Sequence, residues 1–372
     1  MTFRCRPDDD CGGIGDRLGG IIGGAFYALM TERSFRIDWP GLDQVFRPGF
    51  TNWTFDADNL GVPFLNSKGE PLPQYTIAPK IGKIPGEADN GEITPQEEGS
   101  TAVGIVNDLN ARQILNPSLV SKIEQYDHIF FHSNRGPNRK LYEKLQMKYK
   151  WLKVGSNVDE QYFNTFRCIF EGLFRPANVF LESSYKPVGR EAIPFSKLIG
   201  IVEDAHHVGI AVHYRVLDNT AESDSSTAEL IDEGLIAGIA RKGSLYADQA
   251  HKKANLFFLT NGNKSAEKVL AHPLLKQTFE GIYVQELRGS KHINHPHAGG
   301  ASRAQLRPSE VVSLQQAWRD WWIMYLSDVL IFANSGFSKS AALFASREQM
   351  KFENYVADRS RQPWVMCGNR FC

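Results

Sequence analysis

Asn334-Ser335-Gly336-Phe337-Ser338-Lys339 follows an apolar run over 329–333 and precedes a stretch of small residues. The order reads as strand, turn and helix, with hydroxyl, ammonium and glycine groups at the turn. Free N–H groups at a helix N-terminus, backed by the macrodipole, make an anion site. Gly336 lets a ligand approach the backbone closely, and Ser335, Ser338 and Lys339 add donors. Together these suit a phosphate or diphosphate at the carboxyl edge of a sheet. An ordinary Ser-capped helix has the same signature. A Walker A loop is excluded, because Ser338 precedes Lys339 and the glycine spacing is wrong.

A second stretch, His213-Tyr214-Arg215-Val216-Leu217-Asp218, sits at the end of a predicted strand. Period-two alternation puts His213 and Arg215 on one face and Tyr214 on the other. A guanidinium at a strand end can clamp a diphosphate in bidentate fashion and stabilise charge on a departing phosphate oxygen. Asp218 could orient Arg215, and a plain Arg215–Asp218 salt bridge is the alternative. The third stretch is Gly12-Gly13-Ile14-Gly15-Asp16-Arg17-Leu18-Gly19-Gly20, with Asp38 where a ribose-binding acid would fall. It is a weak dinucleotide fingerprint: Gly19 comes one residue late, and the glycines follow the polar 6–10 stretch and no buried strand. Close helix packing through Gly19, Gly20, Gly23 and Gly24 is the alternative.

The elements that must position these residues alternate. A helix is expected over 21–30, strands at 34–39 and 127–131, and a helix at 141–149. The second half is cleaner, with strands at 208–213, 255–260, 281–285 and 329–333. Helices are expected there at 226–240, 264–270, 308–325 and 338–346. Such alternation reads as α/β with parallel sheets. The chain has 372 residues, enough for two domains, joined near 182–195. Residues 61–95 carry repeated prolines and acids and read as a long irregular loop. Trp318, Trp321 and Trp322 lie at helical spacing and read as core.

Lys plus Arg equals Asp plus Glu at 42 each, which excludes a broad basic face for nucleic acid or membrane. No apolar run approaches the roughly 20 residues of a membrane span. The five cysteines form no CxxC pair; Cys5, Cys11, Cys367 and Cys372 lie toward the ends, either as disulfides or as free thiols. Asn52-Trp53-Thr54 and Asn263-Lys264-Ser265 fit the glycosylation triplet. His292, His295 and His297 lie on a Gly/Pro-rich loop without an accompanying carboxylate, which argues against a zinc site.

In order and spacing, the three motifs resemble those of the fucosyltransferases with a GT-B fold. Gly15-Asp16-Arg17-Leu18 is similar to their first motif, His213-Tyr214-Arg215 to their His-x-Arg, and Asn334-Ser335-Gly336-Phe337-Ser338 to their Ser-x-Phe-Ser. The resemblance covers nearly the whole chain. It implies two Rossmann-like domains facing a cleft, an acceptor-side domain over 1–190 and a donor-binding domain over 191–372. It implies an inverting, metal-independent transfer of fucose from GDP-fucose to a hydroxyl of a glycan or glycoprotein, with no cofactor. Arg215 would stabilise the departing β-phosphate, and Ser335, Gly336, Phe337, Ser338 and Lys339 would hold the diphosphate. His213 would contact the donor; Asp218 and Asn261, at strand ends, are further donor contacts, as are Gly13, Gly15 and Arg17 of the first motif. Asp16 is the base candidate, with a structural ion pair to Arg17 as its alternative. The sequence departs from the family at Val216-Leu217, where many relatives carry glycine, so the alignment of Asp218 stays open.

Two other readings stand beside this one. A Rossmann oxidoreductase would bind NAD or NADP at 13–19. A relative without turnover would bind glycans alone. The chain fits either the cytoplasm or a Golgi-lumenal catalytic domain, and the acceptor is not legible.

Overall fold

The computed structural model describes residues 1–5, 13–54, 93–95, 102–107, 128–133, 139–150, 158–214, 231–260, 262–285, 306, 308–332, 336–344 and 351–354. They fall into two compact units, one built on Met1–Arg175 and the other beginning at Pro176. The changeover lies a little before the 182–195 segment where the composition places the join.

The first unit runs β1 (Thr2–Arg4), α1 (Ile14–Met30), β2 (Arg36–Asp38), β3 (Phe46–Pro48), β4 (Ile93–Pro95), β5 (Ala102–Asn107), β6 (His128–Ser133), α2 (Arg139–Lys148), α3 (Val158–Leu173) and β7 (Phe174–Pro176). Its main sheet has the order β2-β1-β6-β5-β4, parallel except for the β4–β5 pair. β4 closes the 61–95 stretch that reads as irregular, and Pro95 is tolerated because this strand is an edge. α1 is apolar or small almost all round, and twelve of its residues are buried. A Cβ on Gly24 would stand 3.0 Å from the Phe35 ring and 3.1 Å from Phe131, so glycine sets how closely this helix approaches its neighbours.

β1 corrects the reading that no buried strand precedes the glycines. All three of its residues are buried, and Phe3 is fully so. At three residues, two of them polar, β1 is too short to show a period. Arg4 is accommodated by facing Asp38 on β2, Nε to Oδ2 3.9 Å.

The second unit runs α4 (Asn178–Leu181), β8 (Ser184–Tyr185), β9 (Ile193–Pro194), α5 (Phe195–Val202), β10 (His207–Tyr214), α6 (Glu233–Ala250), β11 (Lys253–Thr260), α7 (Asn263–Ala271), α8 (Pro273–Thr278), β12 (Gly281–Val284), α9 (Pro308–Leu326), β13 (Val329–Phe332), α10 (Gly336–Phe344) and β14 (Lys351–Asn354). Its sheet order is β12-β11-β10-β13-β14, with every pair parallel. The chain builds outward from β10 to β12, then returns to the other flank of β10. This is the doubly wound arrangement, with its order reversing between β10 and β13.

Alternation decides the two faces. Val208, Ile210, Val212 and Tyr214 join Leu256, Phe258, Ile282 and Ile331 in one core with the buried side chains of α6, α7 and α8. The intervening residues face α9, where Trp318 and Trp321 are fully buried as core, as their spacing indicates. α6 begins seven residues later than 226, because Asp232 caps it: its Oδ1 accepts from Leu235 N at 2.6 Å. α10 begins at Gly336, two residues before the expected start.

Candidate functional site

At the reversal point, His213 lies beside Phe332 in the sheet register, and both strands then end. Outgoing loops diverge from such a point and leave a crevice at the carboxyl edge of the strands, where ligands of doubly wound sheets bind. Tyr214 turns into the core and stacks on Phe258, ring centroids 6.1 Å apart. His213 therefore takes the other face, and its imidazole meets the Phe337 ring at 5.4 Å and 56°. The fold thus brings the second and third motifs together.

The first turn of α10 is held from below. Ser340 Oγ donates to Phe337 O at 2.7 Å and accepts from Trp321 Nε1 at 2.9 Å, tying the turn to α9. Gly336 is exposed, Phe337 and Lys339 are partly exposed, and Ser338 is fully buried. The turn carries no acidic residue. Burial pulls the Lys339 ammonium below its ordinary range, and an anion beside it would push it back up.

α1 has the opposite electrostatics at its start. Gly13 is its extended N-cap residue, and the Asp16 carboxylate turns back to accept from Gly13 N at 3.0 Å. Asp16 is exposed and Gly15 partly so. The negative charge occupies the helix terminus that a dinucleotide pyrophosphate would need. Arg17 points the other way: it is buried, with its guanidinium 5.0 Å over the Trp39 ring. Its role in this structure is to pack the end of β2 against α1.

Arg215, Asp218, Asn261 and Ser335 lie outside the described residues, as do Cys11, Cys367, Cys372 and the 288–297 loop. Cys5 is disulfide-bonded, which settles its state against the free thiol, and Cys168 is a free, exposed thiol. Among the described residues no group of His, Cys, Asp and Glu could hold a metal ion, and no helix is long and apolar enough to cross a membrane.

One group escaped the sequence altogether. Asp320 on α9 is pushed up to about 7 by burial, against the opposing pull of Arg319. Arg319 donates from Nη1 to Ser183 Oγ at 2.8 Å, and the buried Tyr185 hydroxyl, raised by desolvation, feels the charge of both. Nothing in the Arg-Asp-Trp-Trp run marks these residues, since their partners Ser183 and Tyr185 are distant in sequence.

No protein-family model matches the chain, and no curated protein does. Solved structures similar to it include an Arabidopsis thaliana FUT1 variant in complex with GDP, at 12% identity over 92% of this chain and 68% of that one, TM-score 0.49. The NodZ alpha-1,6-fucosyltransferase of Bradyrhizobium, soaked with GDP-fucose, is 14% identical over 92% and 91%, TM-score 0.44. POFUT1 in complex with GDP is 12% identical over 95% and 98%, TM-score 0.46.

Proposed function

We propose that the chain is a glycosyltransferase of the GT-B class that takes fucose from GDP-fucose and passes it, with inversion, to a hydroxyl of a glycan or glycoprotein. The observation that carries this is the meeting of His213 and Phe337 where the strand order of the second unit reverses. Two motifs far apart in sequence converge on the crevice where a doubly wound sheet takes its ligand. The adjoining helix start carries Lys339 and no acid, the polarity a diphosphate requires. Nucleotide solved in structures similar in fold points the same way.

In this reading the acceptor oxygen attacks the anomeric carbon while GDP departs from the opposite face. Arg215, following Tyr214, takes up charge on the β-phosphate, and the N–H groups and Lys339 of α10 hold the diphosphate. His213, wedged against Phe337, orients the donor beside them. Asp218, Asn261 and Ser335 complete the donor contacts. Asp16, exposed at the start of α1, receives the acceptor proton. The leaving-group charge is met by protein cations, so the transfer needs no metal and EDTA should leave it unchanged.

The oxidoreductase alternative is weaker for a specific reason. The terminus of α1, where its pyrophosphate would sit, is already capped by a carboxylate. A thermal-shift screen of GDP, UDP, ADP, NAD and NADP separates the readings: GDP should raise Tm and the others should not. Stabilisation by UDP without GDP, or by NAD, would overturn the donor assignment. Arg215→Ala should then lower kcat on the order of 10²–10³-fold, as loss of one transition-state donor does. Full activity in that variant would sink the mechanism, and GDP binding without any turnover in the parent would leave a glycan-binding protein.

A further inference from the structure

Phe50 is 87% exposed, the most exposed of the large apolar side chains among the described residues. Its position is nevertheless fixed. Gly49, Phe50 and Thr51 donate backbone N–H groups to Leu173 and Gly172 carbonyls at 2.8–3.3 Å. Trp53, nearly buried, donates from its indole to Leu173 O at 2.6 Å and packs on Phe174. Arg175 lays its guanidinium 5.2 Å from the centre of the Phe50 ring. An aromatic held this firmly, with one face covered by a cation and the other turned outward, is a ready platform for the C–H face of a sugar.

Two residues along stands Asn52, the first member of the triplet Asn52-Trp53-Thr54. Asn52 and Thr54 are exposed. Thr54 donates its hydroxyl to Asn52 Oδ1 at 2.6 Å and its backbone N–H at 3.1 Å, so the amide oxygen is engaged within the triplet and Nδ2 faces outward. The disulfide at Cys5, in the same unit, belongs to oxidising compartments, where such triplets meet their modifying enzyme.

We infer that Asn52 carries an N-linked glycan whose first N-acetylhexosamine rests on Phe50. The donor class is a polyprenyl-diphosphate-linked oligosaccharide in the secretory pathway. Asn52 Nδ2 forms a bond to the anomeric carbon and gives up one proton to solvent. The bond from that carbon to phosphate breaks, and the lipid diphosphate leaves with its electron pair. The second triplet lacks both features: Ser265 is buried with its hydroxyl accepting from Ile231 N, and no aromatic residue stands two places before Asn263. The inference is independent of the transferase reading.

The test is the full chain secreted from a eukaryotic cell, digested with an amidase that removes N-glycans in heavy-oxygen water, and mapped by mass spectrometry. Conversion to labelled Asp at position 52, and not at 263, is expected. Unlabelled Asn52 in the parent protein would overturn the assignment, and the parent map decides this even where Asn52→Gln fails to fold. Comparing Tm before and after deglycosylation tests the platform. The glycan should raise Tm in the parent and lose most of that gain in Phe50→Ala; an equal gain in both would remove Phe50 from the proposal.

Discussion

Asp320 holds a proton at a pH where exposed carboxylates are ionised, and that ties stability to pH through one side chain. Its folded pKa of about 7 lies above the ordinary 3.8, because its Oδ1 is shielded beside Tyr185. Between these values the native protein binds a proton that the unfolded chain does not. The stabilisation is therefore complete below about pH 4 and is lost as pH rises through 7. At about 1.4 kcal/mol per tenfold in proton affinity, the loss is at most about 4 kcal/mol, less for the part of the side chain that water reaches. Asp320→Asn should be more stable than the parent at pH 8, by about 1–4 kcal/mol, with the difference shrinking toward pH 5. Urea midpoints across that range measure it, and a constant difference would remove burial as the cause. His213 and Phe337 were legible in the sequence because each falls in a short motif that resembles one of the GT-B fucosyltransferases. Asp320 was not, since its burial beside Tyr185 arises only in the folded chain.

Among the elements, α6 gives a paired comparison of the two terms that govern glycine in a helix. Replacing glycine by alanine in a helix gains up to about 1 kcal/mol of propensity where space is open. At Gly238 nothing lies within 4 Å of the added Cβ, so Gly238→Ala should stabilise by about 0.5–1 kcal/mol. At Gly243 the same Cβ would meet Phe279 ring atoms at 2.4 and 2.6 Å, and that ring is buried and cannot swing away. Gly243→Ala should lose about 1–3 kcal/mol on balance. Thermal melts of the two variants decide it, and equal signs would refute the packing account. The same contrast between local and tertiary causes explains which elements could be read. The strands β10, β11 and β13 are apolar over most of their length and stood out. The expected helix start at 226 differs from the observed Glu233, because propensity does not reveal that Asp232 is an extended N-cap. β1 was missed because a strand of three residues is defined only by the partners that flank it, Arg36–Asp38 and Phe130–Phe131.

For the molecule as a whole, the two units pose the same geometric question, and their helices α1 and α10 start with opposite electrostatics. Each has a strand order that reverses, at β1–β6 in the first and β10–β13 in the second. The first turn of α1 carries Asp16, whereas that of α10 carries no acidic side chain. Amide hydrogen exchange with and without GDP should slow within 207–214 and 336–344 and leave 14–30 unchanged. Slowing at 14–30 alone would move the nucleotide to the first unit. The reversal also has a kinetic side. Gly209 N donates to Asp328 Oδ2 across a sequence separation of 119 residues, alongside the β10–β13 pairing. Closing a loop of that size carries its entropic cost before any contact offsets it. During synthesis β10 must therefore wait, its β13 flank open, until most of the second unit has left the ribosome. A nucleotide that needs both strands cannot assist the early chain, and the growing protein has to protect that open edge by other means.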